Sequence, residues 1–183
     1  YGSWRLCQNL NYSTSSLATY GYFMDNSTKY VKHPRFGSTP IPSGCNFSQY
    51  DIERSHWRYS SVKYFPETAI AANIEKQNYS IYPRSIYVDM EIKCEVCKRP
   101  FIFFAREQQY WFEALGFWVD AHCTRCIDCR KKDQEIKAMQ IEYQSLISKT
   151  ERTKAETKQL KQIALELFQL GFIKDENKVN ISG

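Results

Sequence analysis

Glycine and proline are scarce in this chain of 183 residues, at 7 and 6 copies, and histidine and methionine occur three times each. So little glycine and proline excludes a collagen-like or low-complexity polymer. No glycine-rich phosphate cradle, Ser/His/Asp arrangement or paired-carboxylate site is discernible. An enzyme is therefore the least supported class, and no small-molecule substrate is expected. No stretch of 18 apolar residues occurs, so no membrane span is expected. A signal-peptide pattern is also missing, although the first residue is Tyr1 rather than methionine, as a processed or truncated start would leave it.

Aliphatic residues are thin in the first half. Residues 1–88 hold 12 Leu, Ile and Val against 11 Tyr, which makes a self-sufficient core there doubtful. The second half carries clusters of Phe, Trp, Leu and Ile. The net charge of +5 is uneven: residues 1–88 have 9 basic and 5 acidic residues, and His122–Lys161 has 10 and 6. This bias suits an anionic partner such as nucleic acid, and equally a solvated helix face.

Of seven cysteines, five fall within 36 residues in a paired pattern, whereas Cys7 and Cys45 are isolated. Pairing of that kind suits a metal better than a secreted disulfide framework, and points to a reducing, cytoplasmic compartment. Asn-x-Ser/Thr sequons at Asn11, Asn26, Asn46, Asn78 and Asn180 are of the number chance allows in an Asn- and Ser-rich chain.

Along the chain, residues 1–84 read as a Tyr-rich extended arm with short elements. The Pro- and Gly-bearing run His33–Gly44 cannot be regular helix or central strand. Arg58–Phe65 reads as a strand, and Glu67–Ile74 as two helical turns after Pro66. Ser85–Glu91 alternates as a strand leading into Cys94, and Phe101–Phe104 as its return. Glu107–Leu115 predicts a short helix ended by Gly116, with Trp111, Phe112 and Leu115 inward. A long helix from Cys126 to about Ser148 carries the stripe Ile136, Met139, Tyr143, Leu146 and Ile147. Thr153 and Glu156 form a capping box for a last helix with Leu160, Ile163, Ala164, Leu167 and Phe168 on one face and Gly171 at its end. The two helices should pair as a hairpin, and residues 174–183 read as a polar tail.

Zinc is held tetrahedrally by thiolates, and a Cys-x-x-Cys turn supplies one edge of the tetrahedron. Cys94 and Cys97 give the first edge. The second comes from Cys123, Cys126 and Cys129, where two overlapping pairs compete, separated from Cys97 by 25 or 28 residues. A helix starting near Cys126 favours Cys126 and Cys129, because its N-terminus stabilises thiolate; Cys123 is then an alternate ligand or spare thiol. His122 is a weaker candidate. Four thiolates leave no open position for water, so Glu107 and Gln108 read as helix-start residues rather than acid/base catalysts. Lys98, Arg99, Arg125, Arg130, Lys131 and Lys132 lie beside the cysteines, where they offset the charge of a four-thiolate zinc site or contact phosphates. Arg35 and Arg58 sit among aromatic residues of the arm, a mixture that suits single-stranded RNA and equally a tail docked on its own domain.

The run Cys94-x-x-Cys97-x-x-x-Phe101-Ile102-Phe103, then Glu107-Gln108-x-Tyr110-Trp111, Gly116-Phe117 and Arg125-Cys126-x-x-Cys129-Arg130 resembles the probable zinc-ribbon (treble-clef type) proteins of bacteria. The resemblance covers about residues 87–133. It implies a knuckle, a hairpin and a helix around one structural zinc ion, with ligand roles on Cys94, Cys97, Cys126 and Cys129. It implies no settled activity. The family commonly has glycine after the knuckle, where this chain has Lys98. The interval from Gly116 to Cys126 is also longer and holds Cys123, which leaves the second pair's register open.

These readings predict an α+β fold: a small zinc-centred treble-clef or zinc-ribbon module over 85–133, a helical extension over 134–173, and an irregular N-terminal arm. The expected function is a non-enzymatic zinc-binding module that associates with nucleic acid, RNA or a ribonucleoprotein foremost. The alternative is a protein-interaction adaptor that uses the arm and the amphipathic helices.

Overall fold

The computed structural model describes residues 29–175. They fall into two compact units, one reaching up to Ile127 and the other beginning at Asp128.

The first unit is organised by a three-stranded antiparallel sheet in the order β1 (Tyr64–Ala71), β2 (Ile86–Lys93) and β3 (Pro100–Phe103). Five successive residues of the central strand, Ile86 to Met90, are buried, as a strand covered on both sides must be. Two apolar clusters do the covering. One joins Tyr87, Ala105, Phe112 and Val119; the other joins Tyr30, Ile102 and Phe104, with Phe36, Ile41 and Phe65 against it.

The arm therefore docks internally from residue 29 onward. The Val31 amide donates to the Pro100 carbonyl at 3.0 Å, and the Ile41 amide to Asp89 Oδ2 at 3.0 Å. Aromatic burial replaces the missing aliphatics here, and Ile52, Tyr59, Ala69, Ile86 and Val88 add to the core. Cys45, which stands apart from the cysteine cluster in sequence, is disulfide-bonded. Cys7, the sequons at Asn11, Asn26 and Asn180, and most of the C-terminal tail lie outside the described residues; Asn46 and Asn78 are exposed.

Two expected elements are corrected. Arg58–Phe65 is not a strand: Tyr59–Ser61 forms a single 3-10 turn, and the strand starts at Tyr64. Glu67–Ile74 is not helical, because Glu67–Ala71 belongs to β1. Pro66 misled that reading. On an edge strand its missing N–H interrupts no necessary ladder bond, and the register slips between Phe65 and Ile70 to accommodate it. A helix not foreseen, α1 (Gln49–Ser55), is capped by Ser48, whose hydroxyl accepts from the Asp51 amide at 3.1 Å.

After β3, helix α2 (Ala105–Gln109) continues as one wider π-helical turn, Tyr110–Ala114, and Gly116 ends it at φ +66°. Phe112 is buried inward as predicted. Leu115 is exposed instead, because the wider turn rotates it off the packed side.

The second unit pairs most of α3 (Ile127–Ile147) with α4 (Lys154–Gln169) around Tyr143, Leu146, Leu160, Ile163, Ala164 and Leu167. Ile136 and Met139 pack partly against this core, and Ile147 is exposed. The Thr153–Glu156 capping box forms with both hydrogen bonds, and Gly171 turns the chain at φ +78°. No helix among the described residues is long and apolar enough to cross a membrane.

Candidate metal centre

The β2–β3 connection is a tight turn that places two thiols at its mouth. The Cys94 amide donates to the Arg99 carbonyl, and the Lys98 amide to the Cys94 carbonyl, each at 3.0 Å. Closing that turn forces Lys98 to φ +61°, the left-handed region where glycine costs least. The position at which the resembling family has glycine is thus a position whose backbone asks for it.

The second edge comes from the entry to α3. The Glu95 amide donates to the Thr124 carbonyl at 2.9 Å, which brings the 123–126 loop to the turn. The Cys126 amide points at Cys94 Sγ from 3.4 Å, and Cys97 Sγ lies 3.7 Å from Cys126 Sγ. The sulfurs of Cys94, Cys97, Cys126 and Cys129 all lie within 4.8 Å of one another. A tetrahedron with metal–sulfur bonds of about 2.3 Å has edges of about 3.8 Å, so the donor set fits zinc in number, chemistry and scale.

Electrostatics prepares the thiols. Burial pushes the Cys94 thiol up, but the amides of Cys126, Cys97 and Val96 outweigh it and hold the group at about 6. Cys97 is held below the ordinary thiol value by hydrogen bonds from the Arg99 backbone and side chain. Both shifts favour thiolate, the form a metal binds.

Cys123 is not in the four-sulfur group. It is buried, and its thiol donates to the Arg125 carbonyl at 3.4 Å. His122 is not in the group either; its Nε2 accepts from the Arg58 guanidinium. Among the proposed phosphate contacts, Lys98, Arg99, Arg125, Lys131 and Lys132 are exposed, and Arg130 is half-buried. The Lys98 ammonium reaches back to the Glu95 carbonyl at 2.7 Å. Arg35 is exposed over the Phe36 ring, and half-buried Arg58 lies over Trp57.

Glu107 and Gln108 are both buried structural groups. Glu107 lies 3.7 Å from His33 Nε2. Gln108 ties the sheet together: its Nε2 donates to Val88 O at 2.7 Å and to Phe103 O at 3.0 Å. Its Oε1 accepts from Arg84 Nη1 at 3.2 Å. No pattern of residues singles out Arg84, an arginine with 1% of its surface exposed. It follows Pro83 in a polar, Tyr-rich stretch, where periodicity carries no information about burial.

A strand-turn knuckle and a helix start that bring four thiols together define a four-cysteine module of the treble-clef kind. Residues 88–138, a stretch that holds all four of these cysteines, match the model of a family described as a probable treble clef domain. No curated protein and no solved structure matched the chain.

Proposed function

We propose that the protein is a non-enzymatic module in which one structural zinc ion holds a nucleic-acid-binding surface in shape, with RNA or a ribonucleoprotein as the partner. Zinc is the best match to four thiolates at these separations, and closed coordination leaves no place for a reacting water. The observation that carries the partner is the set of exposed cations next to the cysteines in sequence: Lys98 and Arg99 on the knuckle, Arg125 before the helix, and Lys131 and Lys132 just beyond Cys129. Four thiolates on a divalent ion carry a formal charge of about −2. Arg99 answers part of it through Cys97, and the remaining cations face solvent, where phosphates would meet them.

Titration of the zinc-loaded chain with labelled RNA tests the reading. Affinity should fall steeply with added salt, and Lys131→Gln with Lys132→Gln should reduce the salt slope by about one each. Absence of binding to any RNA or DNA at low salt would refute it.

A protein-adaptor reading rests on a different observation: Leu165, Leu170 and Phe172 are exposed on and after α4. It predicts a salt-tolerant complex lost when these residues become polar.

A further inference from the structure

We propose that Trp57, Arg58, Trp118 and His122 form a binding subsite for an unpaired nucleotide, with the base stacked on indole and its phosphate held by the Arg58 guanidinium. The proposal rests on the nucleic-acid reading above and assigns it a location away from the cysteines in sequence.

Two indoles face solvent, Trp57 at 64% exposure and Trp118 at 58%. Tryptophan on a monomer surface is usually part of an interaction site, because its large apolar area is otherwise buried. Neither residue lies on a slack segment. Trp118 forms an isolated bridge with Asn78; the Val119 amide donates to Asn78 O at 3.0 Å, and Asn78 Nδ2 to Gly116 O at 2.6 Å. The Ala121 amide closes a turn onto Trp118 O at 2.8 Å. Trp57 follows α1, and its Nε1 donates to Asp120 Oδ1 at 3.4 Å. Rings held outward by hydrogen-bonded backbone are preorganised stacking surfaces.

The charge around them is of one sign, apart from a single carboxylate. The Arg58 guanidinium lies 5.1 Å from the Trp57 ring centre and donates to His122. Behind them, buried Arg84 donates to Val119 O at 2.5 Å, to His56 Nε2 at 3.1 Å and to Gln108 Oε1 at 3.2 Å. Every one of these acceptors is neutral, and Arg84 Nε has no partner. A structural cross-link to a carbonyl, an imidazole and an amide needs no permanent charge, and burying one without a counterion is costly. Its effect is a positive potential directed at the surface of this loop cluster. Burial, and next the charge of Arg84, lowers the Arg58 pKa, which shows how closely the two guanidiniums crowd.

Asp120 is the one carboxylate, 55% exposed and 3.4 Å from His56 Nε2. It occupies the place of an anion among two guanidiniums and two imidazoles, and an incoming phosphate would displace it. Exposed Tyr79 and Tyr82, on the segment that carries Asn78, offer rings for adjoining bases. A purely apolar protein partner would cover Arg58 with no anion beyond the Asp120 carboxylate to offset it, which is why a phosphate-bearing strand is the favoured occupant.

The test uses the full zinc-loaded chain and a labelled short oligouridylate. Trp57→Ala and Trp118→Ala should each weaken binding by roughly tenfold with the salt slope unchanged, since stacking releases no counterions. Arg58→Gln should weaken binding and lower the slope by about one. Asp120→Asn should tighten it. Quenching of indole fluorescence on titration should diminish in Trp57→Phe and Trp118→Phe, which keep an apolar ring at each position. If Lys131→Gln and Lys132→Gln weaken binding while the Trp57, Trp118 and Arg58 variants match the parent, the subsite is overturned and the wider reading survives. Equal affinity for a duplex would overturn it too. No binding by the parent chain at low salt would overturn both.

Discussion

The backbone amide of Cys126 donates to the sulfur of Cys94 across 32 residues of sequence. That contact joins the entry of a helix to the mouth of a strand turn, and it is made by the polypeptide before any metal is considered. The cysteine cluster is thus a site whose geometry the fold prepares and whose closure a metal ion would complete.

Ligand identity follows from that geometry. Cys126→Ser and Cys129→Ser should each abolish tight zinc retention, whereas Cys123→Ser should keep about one zinc per chain. Elemental analysis after dialysis against a mild chelator reads the difference. Retention of metal in Cys129→Ser with loss in Cys123→Ser would assign the overlapping pair the other way. Stripping the metal from the parent should lower its unfolding midpoint, because binding free energy at such a site is folding free energy.

How much of this was legible beforehand depends on what kind of signal each element carries. The knuckle and the helix entry were readable because metal ligation demands fixed residue types at fixed spacing. The α3–α4 pair was readable because Leu160, Ile163, Leu167 and Tyr143 repeat with the helical period. By contrast, β1 was hidden by Pro66, whose meaning depends on whether a strand lies at an edge. The Arg84–Gln108–His56 network was hidden because it is assembled from three distant segments and has no period at all.

That network makes a stability prediction. Gln108 satisfies two carbonyls and one guanidinium in a fully buried position. Gln108→Ala strands all three, and should destabilise the first unit by about 3 kcal/mol, against about 0.5 kcal/mol or less for a surface glutamine. Urea unfolding of the zinc-loaded forms measures it. A change indistinguishable from that of exposed Gln162→Ala would show the hub to be energetically idle.

Lys98 offers a test of the opposite sign. Its φ of +61° strains a residue with a Cβ, so Lys98→Gly should raise stability by about 1 kcal/mol, and Lys98→Val should lower it by at least as much. Thermal unfolding of the metal-loaded proteins discriminates. If glycine lowers the midpoint, the turn is held by the lysine side chain reaching Glu95 O rather than resisted by its backbone.

Two buried titrating groups should oppose one another in acid. Burial, and next the charge of Arg84, lowers the His56 pKa from 6.5 to about 4 in the folded protein. The unfolded chain therefore takes up that proton first, and the stability contributed by the neutral ring is whole above 6.5 and lost as pH falls towards 4. Asp89 goes the other way. Burial raises its pKa from 3.8 to about 6, against the Ala105 and Ile41 amides that donate to it. The folded state protonates first there, so stability rises as pH falls from about 6 to 3.8. Each effect is on the order of 3 kcal/mol, and across the shared window they nearly cancel. Removing one exposes the other: His56→Gln should lose less stability between neutral and mildly acid pH than the parent, and Asp89→Asn more. The acid sensitivity of the metal site is common to all three proteins and drops out of the difference. Urea midpoints taken at matched pH would therefore isolate the two groups, and parallel pH profiles for the three proteins would show that neither residue titrates as its surroundings dictate.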